Sequence, residues 1–269
     1  MCATPFKQEP LPHPSTKPSI NPGTFFHFFA CRHFFICALN FKVVIMHGIR
    51  THPLQEYTVD FSSGPALVGI AIVSYLIGSI ASAVLVARLF HLPDPRQAGS
   101  GNPGATNVLR LGGKKAALLT LFGDLGKGLL PVLILRALNA PEVALAVAAL
   151  AAFFGHIFPV FFGFKGGKGV ATAAGALLGL NPLIGLITIG TWIACAFITR
   201  YSSLSAILAA VVAASSALYL APPATMVAVS IMAIMLIYRH HRNIRRLING
   251  EEPKIGKKTD SGNQPEKPV

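Results

Sequence analysis

Four short polar strings in an otherwise apolar chain carry the residue types needed to hold an anion. The first is Gly99-Ser-Gly-Asn-Pro-Gly-Ala-Thr-Asn107, followed by Arg110, Lys114 and Lys115. Glycines let successive backbone N–H groups turn toward one anion. The Ser100 and Thr106 hydroxyls and the Asn102 and Asn107 amides add donors around Gly101, and the basic residues beyond supply counter-charge. The string satisfies G-x-G-x-x-G, but it follows an apolar run rather than a strand, so the dinucleotide-fold context is missing. An anion cradle is the favoured reading, with a flexible glycine loop as the alternative.

The second string is Gly163-Phe-Lys-Gly-Gly-Lys-Gly169. No glycine lies five before Gly167, since that position is Phe162, and Lys168 is followed by Gly169 rather than Ser or Thr. A nucleoside-triphosphatase loop therefore lacks both its spacing and its magnesium hydroxyl. Gly166, Gly167 and Lys168 still suit a phosphate monoester; the alternative is a pair of membrane-flanking charges. The third, Tyr201-Ser-Ser-Leu204, is weak alone, and helix capping by Ser202 or Ser203 explains it equally. The fourth, Arg239-His-His-Arg-Asn243, is either a basic patch for lipid head groups or, with His240 and Asn243 about one helical turn apart, a further wall of the same site.

The elements that must position these strings are set by composition. Of the 269 residues, 52% are apolar and only 12% charged, against roughly 25% charged in soluble domains. Mean hydropathy is +0.58. A disordered chain, a nucleic-acid-binding domain and an ordinary soluble enzyme are all poor fits; an all-α polytopic membrane protein is the expected class. The net charge of +13 does not argue for nucleic acid, because eight of the 23 Lys and Arg lie from Arg239 onward and others punctuate the gaps between apolar runs. That spread suits a bilayer and anionic ligands. Cys2, Cys31, Cys37 and Cys195 form no CxxC pair, so neither a disulfide framework nor a metal site is expected, and no cofactor is implied.

Apolar runs cover 65–90, 116–138, 143–164, 170–199, 204–220 and 224–238. The fourth is long enough for one tilted span or for a hairpin broken at Asn181-Pro182. Charge arbitrates. With the hairpin, 91–115, 165–168, 200–203 and 239–269 share one face, while the opposite turns (138–142, 181–182, 221–223) hold no Lys or Arg. The positive-inside rule therefore predicts seven transmembrane helices with the motifs on the cytoplasmic face; 170–180 is short, so a half-helix packed on its neighbours stays open. Residues 1–60 read as an N-terminal extension, an overextended start with an initiator near Met46 or an extra poor span. Residues 61–250 form the membrane domain and 251–269 a basic cytoplasmic tail.

Within the second run, Asp124 and Lys127 sit at i, i+3, and ionisable groups at that depth pair or line a polar cavity. Arg136, near the end of the run, is expected to snorkel to the membrane surface. His156 is either a core histidine or a support for the glycine loop. No G-x-S-x-G elbow, no H-x-x-x-x-D pattern and no H-E-x-x-H metal motif occurs.

Ser74-Tyr-Leu-Ile-Gly-Ser-Ile-Ala-Ser82, the first and second strings (the second extended to Gly155–Thr172), Tyr201–Leu204 and Arg239-His240 with Asn243 together closely resemble the bacterial acyl-phosphate:glycerol-3-phosphate acyltransferases, the PlsY family, over roughly 66–250. The resemblance implies an inner-membrane enzyme with a cytoplasmic active site. The implied partners are acyl-phosphate, glycerol-3-phosphate and, as a further candidate, the enzyme that makes the acyl-phosphate. The implied products are lysophosphatidic acid and phosphate. It places Ser100, Arg110, Lys168, His240 and Asn243 around the two phosphates, and Lys114 and Ser203 near glycerol-3-phosphate. Residues 1–60 have no counterpart in the family, and His241 adds a second histidine beside the matched one. From the residues alone, a transporter of an anionic metabolite is the competing class.

Overall fold

The computed structural model describes residues 60–256, and every regular element among them is helical. The expectations for 1–59 and for the last basic residues, 257–269, lie outside the described part. The first traverse is α1 (Gly64–Gly78) with α2 (Ser82–Leu89), and the second is α3 (Ala105–Ala137). α4 (Glu142–Ile157) runs on into a 3-10 turn at Val160–Phe162, followed by α5 (Val170–Leu180). α6 (Pro182–Thr199), α7 (Ser202–Leu220), α8 (Pro223–Arg239) and a short α9 (His241–Ile248) complete the order.

Five traverses are long and apolar enough to cross a bilayer, counting α1 with α2, and α8 with α9 makes a sixth, bent by 55°. α5 falls short of the expected count. At 11 residues it rises about 16 Å, roughly half of a hydrocarbon core about 30 Å thick. The hairpin itself is present. Asn181 Oδ1 accepts from the N–H groups of Leu183 and Ile184 at 3.1 and 3.3 Å, and Pro182 opens α6, so the dipeptide works as an N-cap followed by a proline where no N–H is needed. The buried end of α5 receives outside help: Arg136 Nη2 donates to the Leu180 carbonyl at 2.5 Å. Arg136 thus tethers a neighbouring helix end rather than simply snorkelling.

Two further departures from the sequence pattern matter for the site. The polar stretch 91–115 is not all loop, because α3 starts at Ala105 and bends at Gly113, whose φ of 75° only glycine adopts freely. The first apolar run also breaks, between Gly78 and Ser82. The break frees carbonyls inside the bundle, and Lys127 Nζ donates to one of them, Ile80 O, at 2.7 Å while pairing with Asp124 at 2.9 Å.

Helices meet through small residues, as expected where lipid supplies no hydrophobic drive. α3 lies along α5, α1 along α4 and α6 along α7. A Cβ on Gly128 would strike the Thr172 carbonyl, and one on Gly175 the Leu125 carbonyl. The interior is alanine-rich around Phe153, Ile157, Leu177, Met232 and Leu236. Phe197, Ile198 and Ile234 point outward, an arrangement suited to lipid and not to water.

Candidate active site

Successive helices alternate in direction, so the N-termini of α3, α5 and α7 gather at the end of the bundle where α4, α6 and α8 finish. A cleft of about 850 Å³ opens there. All four polar strings reach it. Ser100, Gly101, Asn102, Thr106, Asn107, Arg110 and Lys114 come from the first; Gly166 and Lys168 from the second; Ser203 from the third; and His240 and Asn243 from the fourth. Gly167 does not line the cleft, and neither does Lys127.

The first loop is shaped by Asn107. Its Oδ1 accepts from the Ser100 N–H at 2.9 Å, and its Nδ2 donates to Pro95 O at 2.9 Å and Ala98 O at 3.0 Å. With its amide so engaged and 2% exposed, Asn107 holds the loop that presents Ser100. Gly99 and Gly101 adopt φ of 63° and 69° to allow that turn. Thr106 Oγ1 lies 3.0 Å from Ser202 Oγ, tying the start of α3 to the start of α7.

The second loop is clamped from two sides. Gly166 and Gly167 lie so close on His156 that a Cβ at either would collide with it, and Arg239 Nη2 donates to both glycine carbonyls at 3.2 Å. His156 Nδ1 lies 3.5 Å from Asp124, which lines the deeper cleft wall. His156 is thus both a buried histidine facing Asp124 and a close contact of the glycine loop. With its carbonyls turned to Arg239, the loop leaves its amides unused: among the described residues, no N–H from Gly166 to Thr172 finds a protein acceptor. A run of free N–H groups entering the start of a helix is a strong setting for a phosphate.

Lys168 donates to Asn243 Oδ1. Burial lowers the Lys168 pKa to about 8, with Arg246, Arg239 and Arg110 adding to the fall and Glu252 opposing it. His240 is 2% exposed, and its Nδ1 lies 2.7 Å from Leu236 O. A carbonyl only accepts, so Nδ1 carries the proton and Nε2 the lone pair. Burial, then Lys168, push the His240 pKa down to about 4, so the ring is neutral at ordinary pH. His241 is exposed and bonds Tyr238 O at 2.9 Å; it does not compete for the buried position.

Two groups escaped the sequence reading. Glu252, counted with the basic tail, is 9% exposed within the cleft wall, accepting from Asn243 Nδ2 at 2.6 Å and Arg246 Nε at 2.7 Å. Burial works against its ionisation, but the bonds from Arg246 and Asn243 outweigh it and hold the pKa below the usual value. Arg239 lies in the fourth string, but its contact with the carbonyls of Gly166 and Gly167 has no signal in the sequence. The one available signal was a pair of acidic residues, Glu251-Glu252, in an otherwise basic stretch.

Below the polar mouth the cleft continues between α3 and α6, lined by Leu118, Leu121, Leu125, Ile189, Trp192 and Ile193. Leu118 and Ile193 are more than half exposed to the surrounding lipid region. The result is an anion site with an apolar arm on an integral membrane helical bundle.

Comparison with known proteins agrees. The family model for glycerol-3-phosphate acyltransferase matches residues 68–250. The glycerol-3-phosphate acyltransferase of Thioalkalivibrio sulfidiphilus is 56% identical over 187 residues, covering 69% of this chain and 92% of that protein. That of Methylococcus capsulatus is 54% identical, covering 69% and 94%. Among solved structures, the glycerol 3-phosphate form of PlsY (YgiH), an integral membrane glycerol 3-phosphate acyltransferase, superposes with a TM-score of 0.67 at 38% identity, covering 71% of this chain and 96% of that one. Its lysophosphatidic acid form gives 0.65 at 37%. The chain belongs to the glycerol-3-phosphate acyltransferase family and is an acyltransferase of the membrane.

Proposed function

We propose that this enzyme transfers a fatty acyl group from acyl-phosphate to glycerol-3-phosphate, forming lysophosphatidic acid and inorganic phosphate, the first acylation of phospholipid synthesis. The observation that carries the reading is the union in one cleft of a phosphate-binding loop, with its free amides and Lys168, and an apolar arm open toward lipid. The solved relatives described as glycerol 3-phosphate and lysophosphatidic acid forms support the acceptor and product. The motifs face the cytoplasm across a bacterial inner membrane, with α5 as a seventh, half-length traverse, and the activity resides in 61–250 together with Glu252.

Acyl-phosphate is an activated mixed anhydride, so no covalent enzyme intermediate is needed. The glycerol hydroxyl oxygen bonds to the acyl carbon, the carbon–oxygen bond to phosphate breaks, and the hydroxyl proton passes to a phosphate oxygen. The enzyme holds two mutually repelling anions together. Arg110, Lys114 and Lys168 offset that repulsion and stabilise the departing phosphate. Ser100, Gly101, Asn102, Thr106 and the loop amide at Gly166 orient its oxygens, Gly167 lets the loop pack on His156, and Ser203 meets the acceptor. His240, neutral with Nε2 as acceptor, aims the hydroxyl; a ring with a pKa of about 4 is a poor match for a base at neutral pH.

Purified protein offered acyl-phosphate, acyl-CoA and acyl-carrier protein separately tests the reading. Lysophosphatidic acid is expected from acyl-phosphate, and formation from acyl-CoA alone overturns it.

A further inference from the structure

Asn243 has two polar groups, and both are engaged: Oδ1 accepts from Lys168 and Nδ2 donates to Glu252. Glu252 in turn holds Arg246 through its second oxygen. An amide can rotate to exchange its oxygen and nitrogen, so its direction depends on its neighbours. Lys168 can only donate and an ionised Glu252 can only accept. One orientation satisfies both; the flipped one sets Nδ2 against the ammonium and Oδ1 against the carboxylate.

Glu252 is delivered by a strap, residues 251–256. The Glu251 and Glu252 N–H groups donate to Arg246 O at 2.8 and 3.2 Å. Farther on, the Ile255 N–H donates to Arg200 O at 2.7 Å, and Lys254 Nζ sits 5.8 Å from the centre of the Tyr201 ring. The strap therefore runs from the end of α9 to the turn between α6 and α7. The charged groups facing Lys168 are Arg110 from α3, Arg239 from α8, Arg246 from α9 and Glu252, with His240 beside them. Glu252 supplies the negative charge in that set.

We propose that Glu252 is a positioning residue of the active site, which fixes the amide of Asn243 and through it the direction in which Lys168 presents its ammonium to phosphate. This rests on the reading of Lys168 as a phosphate-binding group and adds to it a residue from beyond the four motifs. Asn243, on this account, acts through Lys168.

Glu252→Gln keeps the shape but offers a donor as well as an acceptor, so position 252 no longer selects the orientation of the Asn243 amide. The expected result is a KM for glycerol-3-phosphate raised about tenfold, or 1.4 kcal/mol, with a smaller change in kcat. The loss of activity at alkaline pH should also begin lower than in wild type, because the group that raises the Lys168 pKa has gone. The double variant N243D/E252Q returns a carboxylate to the chain of bonds: the new acceptor at position 243 takes bonds from Lys168 and from the amide at position 252. It should bring the alkaline limb back to or above its wild-type place. A folded Glu252→Gln enzyme, judged by its melting temperature in detergent, with wild-type KM and pH profile overturns the proposal. So does a loss of activity with an unmoved pH profile that the double variant fails to restore. If Glu252→Gln does not fold, the double variant decides alone by the position of its alkaline limb. Wild-type turnover of acyl-phosphate is scored separately: its absence refutes the proposed reaction, whereas the positioning role fails only through the variants.

Discussion

Ser100, Lys168 and His240 reach one cleft by different physical routes, and their removal should differ accordingly. On the proposed mechanism Ser100→Ala and Lys168→Ala each take away a group that meets developing phosphate charge, so kcat/KM should fall at least tenfold, about 1.4 kcal/mol or more in the barrier. Wild-type rates in both would remove the cradle from the mechanism. Lys168 is held at a pKa of about 8; the charged form prevails below that value and is lost as pH rises through it. Activity should therefore decline above pH 8, and Lys168→Arg, which stays charged, should flatten that limb in initial-rate measurements. His240→Ala should raise KM more than it lowers kcat. A mutant that binds both substrates normally yet hardly turns over would make His240 the base. The residue types of this site were legible in the sequence because anion binding needs glycine, hydroxyls and cations in crowded strings. Glu252 was not legible, since one of two adjacent carboxylates in the tail acquires meaning only when the chain folds back on Arg246 and Asn243.

At the scale of elements, three helix starts converge on the cleft. Each brings unsatisfied N–H groups and the positive end of a dipole, so in the proposed reaction the bundle adds to anion binding beyond its basic side chains. α5 is the sensitive element because it is short and lies tightly on α3. Gly175→Val would drive a side chain into the Leu125 carbonyl; a loss of about 1–3 kcal/mol is expected in detergent melting, with weaker binding of glycerol-3-phosphate because Lys168 sits just before this helix. Arg136→Leu leaves the Leu180 carbonyl without its donor and should lower stability by about 1–3 kcal/mol with little change in KM, as the tether lies at the end of α5 away from the cleft. An unchanged melting curve would show that another donor takes over. The hairpin at Asn181-Pro182 was readable from its turn residues and flanking charges. The break at Gly78–Ser82 was not, because nothing in an apolar run announces that Lys127 will accept a freed carbonyl as partner.

At the scale of the molecule, the proposed orientation places all four polar strings on one side of the bilayer. In a variant free of native cysteines, single cysteines at the exposed positions Lys114, Lys165, Arg200 and Arg242 should react with an impermeant reagent only from the cytoplasmic side, and those at Asn139 and Pro222 only from the opposite side. One exception among the first four would break the common face.

The sequence by itself determined that this is an apolar helical protein of the membrane and which strings carry residue types suited to an anion. Hydropathy, the turn chemistry of Asn181-Pro182 and the distribution of Lys and Arg are local properties, written in consecutive residues. The tertiary structure alone decided how those strings act together. Arg239 turns the carbonyls of Gly166 and Gly167 aside and frees their amides, Leu236 sets the tautomer of His240, and Glu252 closes a chain of bonds to Lys168. Each of these depends on groups far apart in the chain or on the direction of a backbone carbonyl, and neither is encoded by residue type and spacing.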